Sequence, residues 1–393
     1  MNNSKFNYGW LLIGAILVAA TFLSFNKPTI IEMGADRQDQ YLDALKGKKI
    51  GVVANQTTIR TSEGKHLVDF LVENAVEVSA VFAPEHGFRG NHSAGAKVDN
   101  EVDEKTGIPL ISLYGSHKKP TKEDLHNVEV LIFDIQDVGA RFYTYISTMH
   151  YVMEAAAEHS IPVIVLDRPN PHGHYFDGPV LKESHKSFVG MHPVPVVHGM
   201  TIGEYACMIN GEGWLANEVR CELTIVEMKG WNRGTDYRLP IAPSPNLPNQ
   251  RSIELYPSLC FFEGTTVSVG RGTSHPFQVY GHPNFEEEFS FTPKKIPGVS
   301  DYPKHENAEC FGMDLRSNEG RPNQLNLSHL IAAFENEGIP KTDFFTSFFN
   351  KLAGNSDLMA KIIEGQSEEQ IRDSWQGELE TYAKVREKYL LYP

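Results

Sequence analysis

The chain has 393 residues, of which 41% are hydrophobic and 22% are charged. This is the composition of a globular protein, and it excludes a disordered, collagen-like or coiled-coil chain. The 50 acidic residues outnumber the 36 basic residues, which gives a formal net charge of -14 and argues against nucleic acid as a partner. An anionic substrate must therefore be bound by a few well-placed arginines, because the overall field of the protein repels it.

The N-terminal segment has the layout of an export signal. A polar stretch that carries Lys5 precedes an apolar run from Trp10 to Phe25, and a polar stretch with a proline follows. The run is slightly long for a signal peptide and slightly short for a membrane-spanning helix of roughly 20 residues. We expect residues 1–27 to be a signal peptide or an uncleaved membrane anchor. Either alternative places the rest of the protein outside the cytoplasm, in the periplasm or at the outer face.

After a predicted linker at residues 28–45, strand and helix patterns alternate along the chain. Helical patterns lie at His66–Asn74 and Thr144–His159, and Thr201 opens a further helix with a capping box. This alternation predicts a parallel sheet with helices on both faces, in a first domain at residues 46–238. The predicted strands are Lys49–Ala54, Val76–Ala83, Pro109–Tyr114, Val128–Ile135, Ile161–Leu166 and Cys221–Met228.

The composition changes after a proline-rich break at Leu239–Pro248. Glycine, threonine, proline and aromatic residues dominate to about residue 320, and helical patterns return over about Leu325–Leu391. Within that last stretch, Ser367 begins a second candidate capping box. We predict a smaller α+β domain at residues 239–393.

Polar side chains follow five of the predicted strands, at the point where each strand ends. In open parallel sheets, ligands bind beyond the carboxyl ends of the strands, so these side chains are expected to converge on one cleft. The candidate ligand-binding residues at these positions are Asn55, Gln56, Arg89, Gln136, Arg141, Tyr143, Arg168 and Asn170.

Several classes of site are absent from the sequence. There is no G-x-G-x-x-G after the first predicted strand and no Walker A motif, which argues against a nucleotide cofactor. No G-x-S-x-G elbow and no H-E-x-x-H motif occur, which argues against a serine hydrolase and a zinc peptidase. The sixteen histidines form no convincing set of metal ligands, so we expect neither a metal nor a cofactor.

Glu85 is the leading candidate for acid catalysis. It follows an apolar strand and a proline, and burial at that edge of the sheet would raise its pKa and suit it to protonating a substrate. His86 is placed to orient it. An ion pair with Arg89 would instead make Glu85 structural, and position alone does not separate these alternatives. Asp137 is either a second catalytic carboxylate or a buried aspartate that accepts hydrogen bonds from the backbone of its own loop.

Seven sequence blocks occur in order along the chain. They are APEHGFRG (Ala83–Gly90), SLYG (Ser112–Gly115), FDIQDVGARFYTYISTM (Phe133–Met149), VLDRPNP (Val165–Pro171), HGMTIGE (His198–Glu204), PSPNLP (Pro243–Pro248) and EGTTVSVGRGTSHPF (Glu263–Phe277). Together these blocks resemble one family, the exo-acting β-N-acetylmuramidases of the NamZ type, and the resemblance covers about residues 46–393.

The resemblance implies a Rossmann-like parallel sheet domain followed by a smaller α+β domain, with the active cleft between them. The implied reaction removes a terminal β-1,4-linked N-acetylmuramic acid from peptidoglycan fragments, and the implied catalytic residue is Glu85. This sugar carries a lactyl carboxylate, which an arginine can bind bidentately. Four arginines lie in the shared blocks, and we favour the first two as the ligands of that carboxylate: Arg89, Arg141, Arg168 and Arg271.

Glycoside hydrolysis usually requires two carboxylates, and the second one is not fixed by the sequence. Asp137 or Glu263 can fill this role, or the 2-acetamido group of the sugar can itself attack the anomeric carbon. Two other functions remain open at this stage: a non-catalytic protein that binds cell-wall sugars, and a different N-acetylhexosaminidase specificity. In each case the expected partners are muramyl saccharides derived from peptidoglycan.

Overall fold

The structure is a computed structural model that describes residues 31–85, 87–89, 101–317 and 320–393. Its strands are β1 (Lys49–Ala54), β2 (Ile59–Arg60), β3 (Lys65–His66), β4 (Glu77–Ala83), β5 (Glu101–Val102), β6 (Pro109–Ser112), β7 (Val130–Asp134), β8 (Val163–Leu166), β9 (Leu223–Val226), β10 (Val279–His282), β11 (Phe289–Phe291) and β12 (Cys310–Asp314). Its α-helices are α1 (Leu42–Leu45), α2 (Leu67–Glu73), α3 (Tyr145–Glu158), α4 (Ile202–Gly211), α5 (Gln250–Leu259), α6 (Ser328–Glu335), α7 (Lys341–Phe344), α8 (Phe349–Ala353), α9 (Asp357–Ile363), α10 (Glu368–Asp373) and α11 (Gln376–Glu387).

The central sheet has the strand order β5-β6-β4-β1-β7-β8-β9. The six strands from β6 to β9 are parallel, and β5 pairs with β6 in the antiparallel direction at one edge. The parallel strands therefore have the Rossmann order, in which the chain builds outward from β1 in both directions. This confirms the predicted fold class, and it brings the carboxyl ends of β4, β1 and β7 together at one edge.

Side chains of the parallel strands alternate between two hydrophobic clusters, one on each face of the sheet. In β1, Val53 belongs to one cluster and Val52 to the other, as the two-residue period of a strand requires. Gly51 allows close packing, because a Cβ atom there would lie 2.8 Å from side-chain atoms of Leu131 and Phe82. Both faces of the sheet are thus buried, which explains why the strands are almost continuously apolar in sequence.

Local sequence signals fix where several of the helices begin. Thr201 caps α4, because its hydroxyl accepts a hydrogen bond from the Glu204 amide while the Glu204 carboxylate accepts one from the Thr201 amide. The predicted box at Ser367 caps α10 in the same way. Helix α3 is buried over most of its length and remains within one residue of its predicted bounds.

The C-terminal part contains a small antiparallel sheet, β10-β12-β11, and the helices from α5 onward. The larger hydrophobic cluster is continuous between the two parts: it includes Phe133 of the central sheet together with Phe261, Phe262 and Leu330. Residues from Glu32 to Pro393 accordingly form one compact unit. The predicted domain boundary at 238–239 stays a prediction.

The N-terminal segment predicted to be an export signal or anchor lies outside the described residues. Across the part of the chain that the structure describes, no helix is long and apolar enough to cross a membrane.

Candidate active site

A cavity of about 240 Å³ lies beyond the carboxyl ends of β4 and β6, against the C-terminal part of the chain. Two of its lining residues, Glu85 and Glu263, are carboxylic acids from opposite parts of the chain. The full set of described lining residues is Glu85, Tyr114, Phe142, Tyr143, Thr144, Tyr145, Phe188, Val189, Ser244, Asn246, Leu247, Tyr256, Glu263, Arg271 and Phe277.

Glu85 projects into this cavity from the turn that follows β4 and Pro84. Burial raises the pKa of the Glu85 carboxyl above its usual value, and this effect outweighs the hydrogen bonds from Tyr114 and Thr144 that favour the charged form. The positive charge of Arg271 also lowers the pKa, whereas the negative charge of Glu263 raises it. The net result is a carboxyl group that retains its proton to higher pH than a free glutamate, as a general acid requires.

Tyr114 and Tyr145 hold the turn that carries Glu85. Burial raises the pKa of Tyr114 to about 12, so its hydroxyl remains a hydrogen-bond donor to the Glu85 carboxyl at physiological pH. The Tyr145 hydroxyl donates to the backbone carbonyl of Glu85 over 3.4 Å. The acid is therefore fixed through both its side chain and its backbone.

Glu263 and Arg271 form an ion pair on the opposite wall, with 2.6 Å between Arg271 Nε and Glu263 Oε1. This contact occupies only Nε; within the described part of the chain the two terminal nitrogens of Arg271 donate to no other group. The guanidinium lies 5.1 Å above the ring of Phe277, and Phe277 has a φ of 54°, which a bulky residue rarely adopts. The backbone here is strained in a way that fixes the ring beneath the arginine.

Lys304 binds the backbone that carries Glu263. Its ammonium group donates to the carbonyls of Phe262, at 2.8 Å, and of Glu263, at 3.2 Å, and it also reaches the carbonyls of Thr265 and Val267. These carbonyls belong to the end of the short 3₁₀ helix Cys260–Gly264 and to the residues after it, and the Phe262 carbonyl also accepts from the amide and the hydroxyl of Thr265. Burial lowers the pKa of Lys304 to about 8.

The proline-rich segment forms a third wall. Tyr143 donates its hydroxyl to the carbonyl of Pro243 over 2.8 Å, and the Gln56 amide donates to the same carbonyl over 3.2 Å. These contacts bring Asn246 to the cavity, where its Nδ2 donates to the carbonyl of Val299 and its Oδ1 is buried without a hydrogen-bond partner in the described structure. An unsatisfied buried acceptor in a cavity wall is suited to a donor on a ligand.

Three of the four candidate arginines are engaged away from the cavity. Arg89 forms ion pairs with Asp103 and Asp69, at 2.8 Å and 3.2 Å. Arg168 pairs through two nitrogens with the fully buried Asp134, at 2.5 Å and 2.9 Å. Neither is among the described residues that line the cavity.

Arg141 is fully buried and carries no carboxylate partner in the described structure. Its two terminal nitrogens donate to four backbone carbonyls at 2.7–2.9 Å. Two of these carbonyls, of Pro179 and Val194, belong to the first part of the chain, and two, of Leu352 and Ala353, end helix α8. Arg141 therefore joins the two parts of the protein, and it is Arg271 that the structure brings to the cavity.

Other candidates form a buried polar network around the crevice between β1 and β7. Asn55 Oδ1 accepts hydrogen bonds from Thr57, and the Gln136 side chain donates to the carbonyls of Asp137 and Pro169. Asn170 donates to the carbonyl of Met200. These side chains thus bond to the backbone or side chains of this loop cluster.

Asp137 lies in this same network, beside a buried histidine. Its Oδ2 accepts from the Gly139 amide at 2.7 Å and lies 3.4 Å from His198 Nε2. It does not line the cavity with Glu85 among the residues described. His86 lies outside the described residues.

Sequence reasoning missed several cavity residues that lie within the quoted blocks. Thr144 and Asn246 supply polar contacts, and Phe277 supports Arg271. The PSPNLP and EGTTVSVGRGTSHPF blocks were the available signal, but which of their side chains face a cavity depends on how the two parts of the chain pack. No group of three or more metal-ligating side chains is close enough to hold an ion among the described residues.

A cavity that holds a carboxyl group of raised pKa, a second carboxylate and aromatic walls on a Rossmann-like fold is typical of a glycoside hydrolase site. Two family models match the chain: the N-terminal region of exo-beta-N-acetylmuramidase NamZ over residues 50–251, and its C-terminal region over residues 254–392. The chain belongs to this family of glycoside hydrolases.

Individual relatives agree with this assignment along nearly the whole chain. The peptidoglycan beta-N-acetylmuramidase NamZ of Bacillus subtilis (strain 168) is 41% identical over 409 aligned residues, which cover 98% of each protein. A DUF1343 family protein of Bacteroides fragilis NCTC 9343 has a crystal structure that superposes with a TM-score of 0.85 at 44% identity, covering 92% of this chain and 99% of that chain. A second such protein of the same organism gives 0.79 at 29% identity, covering 93% and 100%.

Proposed function

We propose that the chain binds the non-reducing terminal N-acetylmuramic acid of a peptidoglycan fragment in the cavity and hydrolyses its β-1,4 bond. The observation that carries this proposal is the convergence of Glu85, Glu263 and Arg271 on one cavity of about 240 Å³. Glu85 supplies a proton and Glu263 supplies a negative charge. Arg271 supplies a cation in a protein whose net charge is negative.

Glu85 acts as the general acid. Its carboxyl proton passes to the glycosidic oxygen as the bond between that oxygen and the anomeric carbon breaks, so the rest of the saccharide leaves as a neutral alcohol. Water adds to the anomeric carbon, and the proton it loses restores the acid. The raised pKa of Glu85 lets it retain this proton to higher pH than a free glutamate would.

Glu263 is the second carboxylate. It shares the cavity with Glu85, whereas Asp137 is bonded within a separate loop. A carboxylate in this position stabilises the positive charge that develops at the anomeric carbon. A Glu263→Gln variant is expected to lose turnover by roughly a hundredfold or more while it retains its fold. If the turnover of the Glu263→Gln variant stayed within a few-fold of the parent, Glu263 would have no role in the mechanism. That result would favour attack on the anomeric carbon by the acetamido group of the substrate.

Arg271 binds the lactyl carboxylate. Its terminal nitrogens donate to no other group among the described residues and can receive two carboxylate oxygens, while the bond from Nε to Glu263 fixes the plane of the guanidinium. Arg89, Arg141 and Arg168 are engaged elsewhere, so this role passes from the two arginines that the sequence favoured to Arg271.

Two substrates that differ only in the lactyl group test the role of Arg271. An Arg271→Gln variant is expected to lose at least tenfold more kcat/KM on a muramide with a free lactyl carboxylate than on its lactyl amide, because only the acid forms the ion pair. Arg316→Gln is a matched control, since Arg316 also pairs with a carboxylate but lies at the exposed surface. Equal losses on both substrates would contradict a carboxylate-binding role.

Two disaccharides of opposite sequence test the function itself. We expect the purified protein to release N-acetylmuramic acid from N-acetylmuramyl-β-1,4-N-acetylglucosamine and to leave N-acetylglucosaminyl-β-1,4-N-acetylmuramic acid intact. Release of N-acetylglucosamine from the second compound would indicate another hexosaminidase specificity. Binding without release from either compound would indicate a sugar-binding protein.

We also propose that the protein is exported and acts outside the cytoplasm, free or held by residues 10–25. The support is the apolar run from Trp10 to Phe25 after a short polar stretch. Cell fractionation should recover the protein from the extracytoplasmic or membrane fraction. Recovery of the full-length chain in the soluble cytoplasmic fraction would contradict the proposal.

A further inference from the structure

Tyr302 is the most exposed large hydrophobic or aromatic residue that the structure describes. Its exposed fraction is 90%, against 59% for Val102, which comes next. Tyrosine usually buries much of its ring against neighbouring groups, because the ring is a large apolar surface with one polar tip. A ring that stands this far into solvent is available for contact with something outside the chain.

The segment that carries Tyr302 is bonded to the wall of the active-site cavity on both sides of the ring. On one side, the carbonyl of Val299 accepts a hydrogen bond from Asn246 Nδ2 over 2.9 Å. On the other side, the Lys304 ammonium donates to the carbonyl of Glu263 over 3.2 Å. Asn246 and Glu263 both line the cavity, so the segment that carries Tyr302 adjoins the cavity wall and is attached to it before and after Tyr302.

Backbone hydrogen bonds within the same segment and to its neighbours order it. Ile296 and Ser300 exchange backbone hydrogen bonds of 2.9 Å and 2.8 Å across a turn, and Lys294 donates its amide to the carbonyl of Gly272. The Lys295 ammonium lies 5.5 Å from the centre of the Tyr302 ring. Because the loop is already ordered, a ligand that packs on this ring loses little free energy to ordering it.

We infer that Tyr302 is a stacking platform for the sugar on the leaving-group side of the scissile bond. The inference rests on the proposed function: if the cavity holds the terminal ring of the substrate, the rest of the saccharide must leave through its mouth and pass the surrounding surface. The C–H face of a pyranose ring packs well on an aromatic ring, and tyrosine provides this area with few rotatable bonds. Tyr302 thereby contributes to the preference for a saccharide leaving group over a small one.

A pair of substrates with and without a sugar leaving group tests this role. The first is N-acetylmuramyl-β-1,4-N-acetylglucosamine, and the second is β-N-acetylmuramyl fluoride, whose leaving group is too small to reach the ring. Tyr302→Ala is expected to lower kcat/KM on the disaccharide by about five- to tenfold, mainly through KM, and to leave the fluoride within about twofold. Tyr302→Trp should restore the disaccharide activity, since it retains an aromatic face.

Ile363→Ala is the matched control, because Ile363 is 56% exposed and its loss should change neither substrate. Unchanged kinetics of Tyr302→Ala on the disaccharide would overturn the inference, and so would equal losses on both substrates. A parent protein that hydrolyses neither substrate would instead refute the proposed function, and the two failures are therefore distinguishable.

Discussion

Replacing Arg141 should destabilise the protein and leave its chemistry intact. The fully buried guanidinium donates four hydrogen bonds of 2.7–2.9 Å to backbone carbonyls, two from each part of the chain. Burial lowers the pKa of Arg141 to about 10, which still keeps it charged at neutral pH. Arg141→Met removes all four donors and leaves the carbonyls in a dry interface.

The size of this effect follows from those four bonds. A buried acceptor that loses its partner costs about 1–3 kcal/mol, and the relief of burying a charge offsets part of the sum, so we expect about 4 kcal/mol in the free energy of unfolding. For a folded unit of about 350 residues this corresponds to a fall in Tm of about 5 °C. Arg141→Lys should lose about half as much, because an ammonium has three donors and a shorter reach.

Thermal melts followed by circular dichroism, with kcat/KM on a muramide measured well below Tm, check this prediction. Arg37→Met is the control, since Arg37 donates one hydrogen bond to a carbonyl at the exposed surface and should change Tm very little. The reasoning fails if Arg141→Met melts like the parent but loses activity a hundredfold. Arg141 would then contact the substrate, as its position after a predicted strand first suggested.

The remaining predictions concern pH. Tyr114→Phe removes a hydrogen bond that lowers the pKa of Glu85, so the fall of kcat/KM at alkaline pH should shift to higher pH; an unchanged or lowered midpoint in a pH–rate profile would count against Glu85 as the acid. Tyr392→Phe removes one of the donors to buried Asp167, whose pKa burial raises to about 7. Because the folded pKa lies above the unfolded one, Asp167 favours folding below about pH 4 and that contribution is lost as pH rises to about 7. At pH 8.5 the Asp167 carboxylate is charged and depends on its hydrogen-bond donors, so Tyr392→Phe should lower the free energy of unfolding more at pH 8.5 than at pH 5. Urea titrations at the two pH values measure this difference, and a larger loss at pH 5 would contradict the prediction.

Much of the fold was predictable because it depends on local patterns. Strand β1 was predicted with its observed bounds, and α3 within one residue, because apolar runs and helical periodicity are set by nearby residues. The capping boxes at Thr201 and Ser367 were predictable for the same reason. The sheet order and the edge strand β5 were not, because they depend on which distant segments pair.

The site was less predictable, because burial and pairing decide what a side chain does. Arg141 and Arg271 look alike in sequence, yet one holds backbone carbonyls in the interior and the other faces a cavity. Gln56 and Tyr143 follow strands as ligand-binding residues would, yet both bond to Pro243 and hold the wall in place. The position of Glu85 at the cavity was predictable because an acid after a buried strand and a proline lies at the end of the sheet regardless of how the rest packs.

The central claim is that Glu85 protonates the leaving group, and turnover of Glu85→Gln on N-acetylmuramyl-β-1,4-N-acetylglucosamine tests it most directly. We expect the folded variant to bind the disaccharide but to lose turnover by roughly a hundredfold or more, and to lose less on an aryl muramide, whose leaving group needs little protonation. Glu183→Gln, an exposed glutamate, should behave like the parent. A folded Glu85→Gln protein with near-normal turnover of the disaccharide would contradict the account.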